Sequence, residues 1–152
     1  MPNPEVDDKV LESTGGPFRL SDQAGHPVVL YFYPKDATPG CTAEGAAFRD
    51  LHGAFRKAGA RIFGVSRDSL ASHVRFKVKM AFPFDLVSDA DETLCRRFDV
   101  IRMKKMYGKD VRGIERSTFV IGADGTIVKE WRGVTVPGHP EDVLTFVKTL
   151  QR

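Results

Sequence analysis

The chain has 152 residues, 41% hydrophobic and 28% charged, with a net charge of +3. This is the balance of one ordinary globular domain, read as residues 1–152 and long enough to bury a core. It excludes a disulfide-stapled miniprotein, a chain with an apolar run able to span a membrane, and a strongly basic nucleic-acid binder.

The opening "MPNPEVDDKV" is polar and acidic, with no apolar signal-peptide core, which predicts a cytoplasmic protein. Residues 1–16 read as an irregular lead-in ending in "TGG". "FRL" (18–20), followed by the turn-rich "SDQAGHP", predicts a short strand or the arm of an N-terminal hairpin. "VVLYFY" (28–33) is a continuous apolar run closed by Pro34, the pattern of a strand buried on both faces. From Thr42 to Ala58 the period becomes helical: Phe48, Leu51, Phe55 and Ala58 share a face, and Gly59 ends the run.

"RIFGVS" (61–66) is the next strand, and the crossover helix between the two makes them parallel. A second helix is expected from about Leu70 to Met80, with Leu70, Val74 and Val78 inward, stopping before Phe82-Pro83. "FDLVSD" (84–89) is a short strand, and Asp89 or Ala90 opens a third helix running through Phe98. Residues 99–113 form the one long connection without an element. They hold the densest basic cluster, Arg102 to Lys109, read as a solvated loop rather than a phosphate-binding patch. "STFVIGADGTIVKEW" (117–131) is a hairpin turning at Asp-Gly. A last amphipathic helix spans 140–151, with Val143, Phe146, Val147 and Leu150 inward. The order predicts an α/β protein of thioredoxin-like fold: a central mixed sheet flanked by helices, with an N-terminal β-hairpin extension.

The chain holds two cysteines and four histidines, which form no recognisable zinc spacing. Cys41, in "PKDATPGCTAEGA", stands where a buried strand has ended and a helix begins. The carboxyl end of a strand is where open α/β sheets bind ligands, and the N–H groups of a helix start favour thiolate over thiol. The alternative for Cys41 is a small buried hydrophobe. Position 44, where a Cys-x-x-Cys pair would place its second thiol, is Glu44, so the site has one nucleophilic sulfur. The Thr38 hydroxyl can bond an atom approaching that sulfur, or can make only a local turn bond. Pro34 and Pro39 restrict the loop, and Pro34 can shield it from water. Arg116, before the hairpin, is either a surface residue or a guanidinium brought by the fold to the Cys41 helix, where it would hold the thiolate and polarise an incoming oxygen.

Pro34, Thr38 and Cys41 fit P-x-x-x-[TS]-x-x-C, and "YFYPKDATPGCTAEG" with "ERSTFVIGADG" resembles the peroxiredoxin Q, or bacterioferritin comigratory protein, subfamily over about residues 5–150. The resemblance implies that Cys41 is a peroxidatic cysteine, that Thr38 and Arg116 align and polarise the peroxide, and that Pro34 shields the thiolate. Many members carry a resolving cysteine five residues after the peroxidatic one, which here is Ala46. The chain resembles instead the version whose resolving cysteine lies in the third helix, which implies Cys95. Alternatively, Cys95 is a core residue and the enzyme has one working cysteine.

The resemblance implies reduction of hydrogen peroxide and organic hydroperoxides, with a sulfenic acid at Cys41 and recycling by thioredoxin or a similar dithiol. It implies a monomer and calls for no metal, haem or flavin cofactor, no nucleic-acid partner and no membrane. The rival readings are a thiol–disulfide oxidoreductase and a non-catalytic binding or holdase module on the same fold.

Overall fold

A computed structural model of the chain describes residues 8–150. The start of the lead-in (1–7) and position 151 of the expected last helix lie outside that range. The elements are β1 (Glu12–Ser13), β2 (Val28–Phe32), α1 (Pro39–Lys57), β3 (Arg61–Ser66), α2 (Leu70–Met80) and β4 (Asp85–Ser88). They continue with α3 (Thr93–Arg97), β5 (Ile101–Met106), β6 (Lys109–Ile114), β7 (Ser117–Ile121), β8 (Ile127–Arg132) and α4 (His139–Lys148). Six strands form one sheet in the order β1-β4-β3-β2-β7-β8, and β5 pairs only with β6.

β2 sits in the middle, parallel to β3 and antiparallel to β7, and all five of its residues are buried. Side chains alternate faces along a strand, and the alternation divides the core in two. Val29 and Tyr31, level with Ile62 and Gly64 of β3, pack with Phe48 and Phe55 of α1, Phe76 of α2 and Val143 and Val147 of α4. Val28, Leu30 and Phe32 face the other way and pack with Val65, Val87, Phe119 and the α3 residues Leu94 and Cys95. Each such large apolar side chain contributes about 1.5–3 kcal/mol when fully buried. This is the mixed sheet with helices on both faces, the thioredoxin-like arrangement that the element order predicts.

Four details differ from the sequence reading. The lead-in contains β1, which pairs antiparallel with β4; Leu11 bridges Phe18 in the expected N-terminal hairpin, but that arm stops short of Leu20, which opens the 3-10 turn Leu20–Gln23. On α2 the helical period holds but its phase is rotated. Val74 and Val78 are 45% and 76% exposed, while His73 and Phe76 are buried. A histidine takes the inner stripe because both ring nitrogens find partners there, Asp36 Oδ2 at 2.7 Å and the Val87 carbonyl at 3.0 Å. The third helix is only five residues long, because 89–92 form a turn ending in the left-handed Glu92. Residues 101–114 are not a loop but the β5–β6 hairpin, whose tip residue Tyr107 is 98% exposed. Its outward residues are polar as well as apolar, so no buried stripe marked it in the sequence.

Gly45, inside α1, is explained by packing. A Cβ there would lie 2.5 Å from Cζ of Phe82, whose ring is stacked on Phe84 and set edge-on to Phe76. Alanine gains about 1 kcal/mol of helix propensity over glycine, but overpacking a core typically costs about 1–3 kcal/mol. Gly45→Ala is therefore expected to lower stability by up to about 2 kcal/mol in urea unfolding. A more stable variant would show that the Phe82 ring yields freely.

Candidate active site

The loop from Pro34 to Thr38 leaves the end of β2 and delivers the chain into α1. Thr38 is the N-cap residue, in extended conformation, and its carbonyl accepts the Thr42 N–H at 2.8 Å. Pro39 follows at the first helical position, where its missing N–H is no loss and its φ is already helical. Cys41 therefore lies in the first turn, among N–H groups that have no partner within the helix. It is only 2% exposed.

The side chain that meets the sulfur is Arg116, between β6 and β7: its Nη2 donates to Cys41 Sγ at 3.4 Å. The pairing follows from the sheet, since β7 runs antiparallel beside β2, with Ser117 level with Phe32. The residue before β7 thus meets the loop after β2. Gly40 leaves the room, because a Cβ there would lie 3.0 Å from Arg116 Nη2. Arg116 Nη1 donates to Glu44 Oε1 at 2.7 Å, and Glu44 is fully buried one turn along α1 from Cys41. Burial raises the Glu44 carboxyl to about 7 even though Arg116 pulls it down, and its Oε2 has no hydrogen-bond partner among the described residues.

Thr38 donates its hydroxyl hydrogen to the Lys35 carbonyl at 2.8 Å. This is the local turn bond, and it leaves the oxygen lone pairs as acceptors. Pro34, half-buried, forms the other side of the loop. Cys95 is not with this group. It is fully buried in the cluster on the opposite face of the sheet, and both cysteines are free thiols. Burial, followed in effect by the Asp89 carboxylate, pushes the Cys95 thiol far above its usual range.

Sequence reasoning missed two carboxylates. Glu44 was noted only as the place where a second cysteine is missing. Asp36 pins the loop from inside: it accepts the Tyr33 hydroxyl at 2.6 Å and Ser72 Oγ at 2.8 Å, and its carboxylate meets His73 Nδ1 at 2.7 Å. Burial alone would raise the Asp36 carboxyl, but the His73, Tyr33 and Ser72 bonds outweigh it and hold it low. The Asp36 N–H in turn donates to Asp68 at 2.9 Å. The partners lie up to 37 residues away, so no local spacing announces them.

A sheet of this order with a thiol at a helix start under a guanidinium defines the thioredoxin-like thiol peroxidases. The chain belongs to the AhpC/TSA family, whose model matches residues 2–130. It is 57% identical to peroxiredoxin Bcp of Xanthomonas campestris, covering 90% of this chain and 85% of that one. It is 48% identical to peroxiredoxin Bcp of Bacillus subtilis, covering 90% and 87%. A solved structure of the Xanthomonas campestris bacterioferritin comigratory protein, studied for alkyl peroxide reduction, superposes with a TM-score of 0.92 at 52% identity, over 99% of this chain and 96% of that one. The chain is a thiol-dependent peroxidase, and its family acts on peroxides with thioredoxin-type reductants. No helix among the described residues is long and apolar enough to cross a membrane.

The buried Glu44 predicts a pH dependence. Its carboxyl titrates at about 7 in the fold against an ordinary 4.5. Between those values the folded state holds more protons than the unfolded chain, so this group's contribution to stability falls as pH rises through that window and then levels off. Glu44→Gln cannot ionise. Urea unfolding at pH 4.5 and pH 8 is expected to show the wild type losing more stability across the interval than the variant. Equal losses would mean that burial does not raise the Glu44 carboxyl above its ordinary value in the fold.

Proposed function

We propose that Cys41 is the peroxidatic sulfur of this peroxidase and that Arg116, Thr38 and Pro34 form its reaction site. The observation that carries the reading is the Arg116 guanidinium 3.4 Å from a sulfur set in the first turn of a helix. The guanidinium donates to the sulfur, and the first-turn N–H groups around it have no partner within the helix. The thiolate attacks the nearer peroxide oxygen, the O–O bond breaks, and charge develops on the leaving oxygen. Arg116 is placed to share that charge, and preorganised donors of this kind supply a large part of such rate enhancements. The Thr38 oxygen, whose hydrogen goes to the Lys35 carbonyl, has lone pairs left to accept the hydrogen bond of the peroxide. Pro34 limits water at the loop. The products are water or an alcohol and a sulfenic acid on Cys41.

Cys95 then attacks the sulfenic sulfur to give an intramolecular disulfide, which thioredoxin or a similar dithiol reduces. A disulfide requires Cα atoms within roughly 7 Å. Cys41 and Cys95 lie in separate cores on opposite faces of the sheet, so the cycle includes local unwinding of the first turn of α1, of α3, or of both. The same separation favours a second reading, a one-cysteine enzyme resolved by an external thiol. We read the substrates as hydrogen peroxide and organic hydroperoxides, a choice supported by the alkyl peroxide reduction studied in the Xanthomonas campestris relative. The chain would work as one domain, 1–152, monomeric and cytoplasmic.

Stopped-flow oxidation of the reduced protein separates these roles. Arg116→Ala is expected to slow Cys41 oxidation about a hundredfold or more. Cys95→Ser should keep that first oxidation but lose turnover with thioredoxin. Full thioredoxin-dependent turnover in Cys95→Ser would establish the one-cysteine reading, and an unchanged Arg116→Ala rate would make Arg116 structural.

A further inference from the structure

α3 carries Cys95 on five residues, and a helix of that length has no stability of its own in water. From inside, Asp89 caps it, accepting the N–H groups of Leu94 at 3.0 Å and Cys95 at 2.7 Å. From outside, Glu92 anchors it. Arg112 grips the Glu92 carboxylate with both terminal nitrogens, Nη2 at 2.5 Å from Oε1. Arg67 Nη1 adds a contact at 3.1 Å and Arg96 Nε one at 3.4 Å. Arg96 belongs to α3 itself, whereas Arg67 follows β3 and Arg112 lies in β6. One buried carboxylate thus ties the Cys95 helix to two other segments of the fold.

The tie is held under strain. Glu92 has φ +65°, a left-handed conformation unfavourable for a residue with a side chain. Arg67 Nε is buried without a hydrogen-bond partner among the described residues. Behind the closed turn Cys95 is a buried, neutral thiol, the form that does not attack sulfur.

We propose that Glu92 is a positioning residue of the resolving step: with Arg67 and Arg112 it forms a clasp over α3, and the opening of that clasp sets how fast Cys95 reaches oxidised Cys41. The inference rests on the reading of Cys95 as the resolving cysteine. In that step the Cys95 thiol loses its proton and its sulfur attacks the sulfenic sulfur of Cys41. The S–O bond breaks, and hydroxide leaves and takes up a proton as water. The Cys95 sulfur is oxidised and the Cys41 sulfur reduced. The competing step is reaction of the Cys41 sulfenate with a second peroxide, which gives sulfinate and water. A tight clasp prolongs the sulfenate and favours this loss; a loose clasp favours the disulfide.

The test compares Glu92→Gln, Arg112→Ala and Arg112→Lys with the wild type. With one equivalent of hydrogen peroxide, Cys41 oxidation is expected to keep its wild-type rate, since none of these side chains belongs to the Cys41–Arg116–Glu44 group. The following disulfide phase should run at least fivefold faster in Glu92→Gln and Arg112→Ala. Arg112→Lys, which keeps the charge without the two-pronged grip, should fall between. Sulfinate at high peroxide, read by mass spectrometry, should drop in the same order. In a Cys41→Ser background, alkylation of Cys95 by iodoacetamide at neutral pH should accelerate at least tenfold. Loss of a merely structural contact would slow the oxidation phase and leave the ratio of disulfide to sulfinate unchanged. Unchanged disulfide and alkylation rates in Glu92→Gln and Arg112→Ala overturn the clasp. Absence of any intramolecular disulfide in the oxidised wild type overturns the Cys95 reading and the clasp with it; alkylation that still accelerates would then mark Glu92 as a purely structural anchor.

Discussion

The burial of β2 on both faces is the constraint from which the rest of this structure follows. A strand with Val28, Leu30 and Phe32 on one side and Val29 and Tyr31 on the other cannot leave either side in water. It must be covered twice, by α1, α2 and α4 on one face and by α3 with its neighbours on the other. The same constraint puts β3 and β7 on its two flanks, so that the loop after β2 and the residue before β7 arrive at one edge. Cys41 and Arg116 are 75 positions apart in the chain and 3.4 Å apart in space for that reason. It also sends the two cysteines to opposite sides of a layer that a disulfide cannot cross without local unwinding.

At the active edge, the notable balance is that one guanidinium serves two acidic groups. Arg116 reaches the Cys41 sulfur with one nitrogen and the Glu44 carboxylate with the other. The carboxylate fixes the orientation of the guanidinium over the sulfur. Its own burial raises its proton affinity, which tempers the negative charge it places near the sulfur. On the other side of the loop, Asp36 ties the backbone between Pro34 and Thr38 to α2 through His73 and Ser72. The loop that carries Pro34 and Thr38 is thus held by α2 and by Asp68, both distant in the chain.

The two cysteines live in opposite electrostatic settings. Cys41 faces helix N–H groups and a cation, whereas Cys95 faces a carboxylate inside an apolar cluster. The Cys95 thiol is held neutral while its helix is formed. Conformation and reactivity are therefore coupled at Cys95. In the proposed cycle, unwinding that exposes the sulfur also takes it away from Asp89.

The sequence by itself determined the elements whose signals are local. The run at 28–33, the helical stripe of α1, the Asp-Gly hairpin and the thiol at a strand-to-helix junction all rest on neighbours within a few positions, and each is where the pattern put it. The fold class followed from their order, and Pro34, Thr38 and Cys41 could be read together as a candidate set because they lie within one short loop-to-helix junction. The tertiary structure decided what depends on distant partners. Val74 and Val78 lost the inner face of α2 because His73 found acceptors on Asp36 and Val87, which no helical count foresees. The hairpin at 101–114 stayed hidden because it rests on its own ladder and a few long-range anchors, including the Arg112–Glu92 pair, instead of on a buried stripe. Arg116 was only one of two readings until β7 was placed beside β2, and Glu44 and Asp36 had no local signature at all. Backbone propensity and hydrophobic period act between neighbours in sequence. A buried charge or polar group is stable only with its partner, and that partner is chosen by the fold.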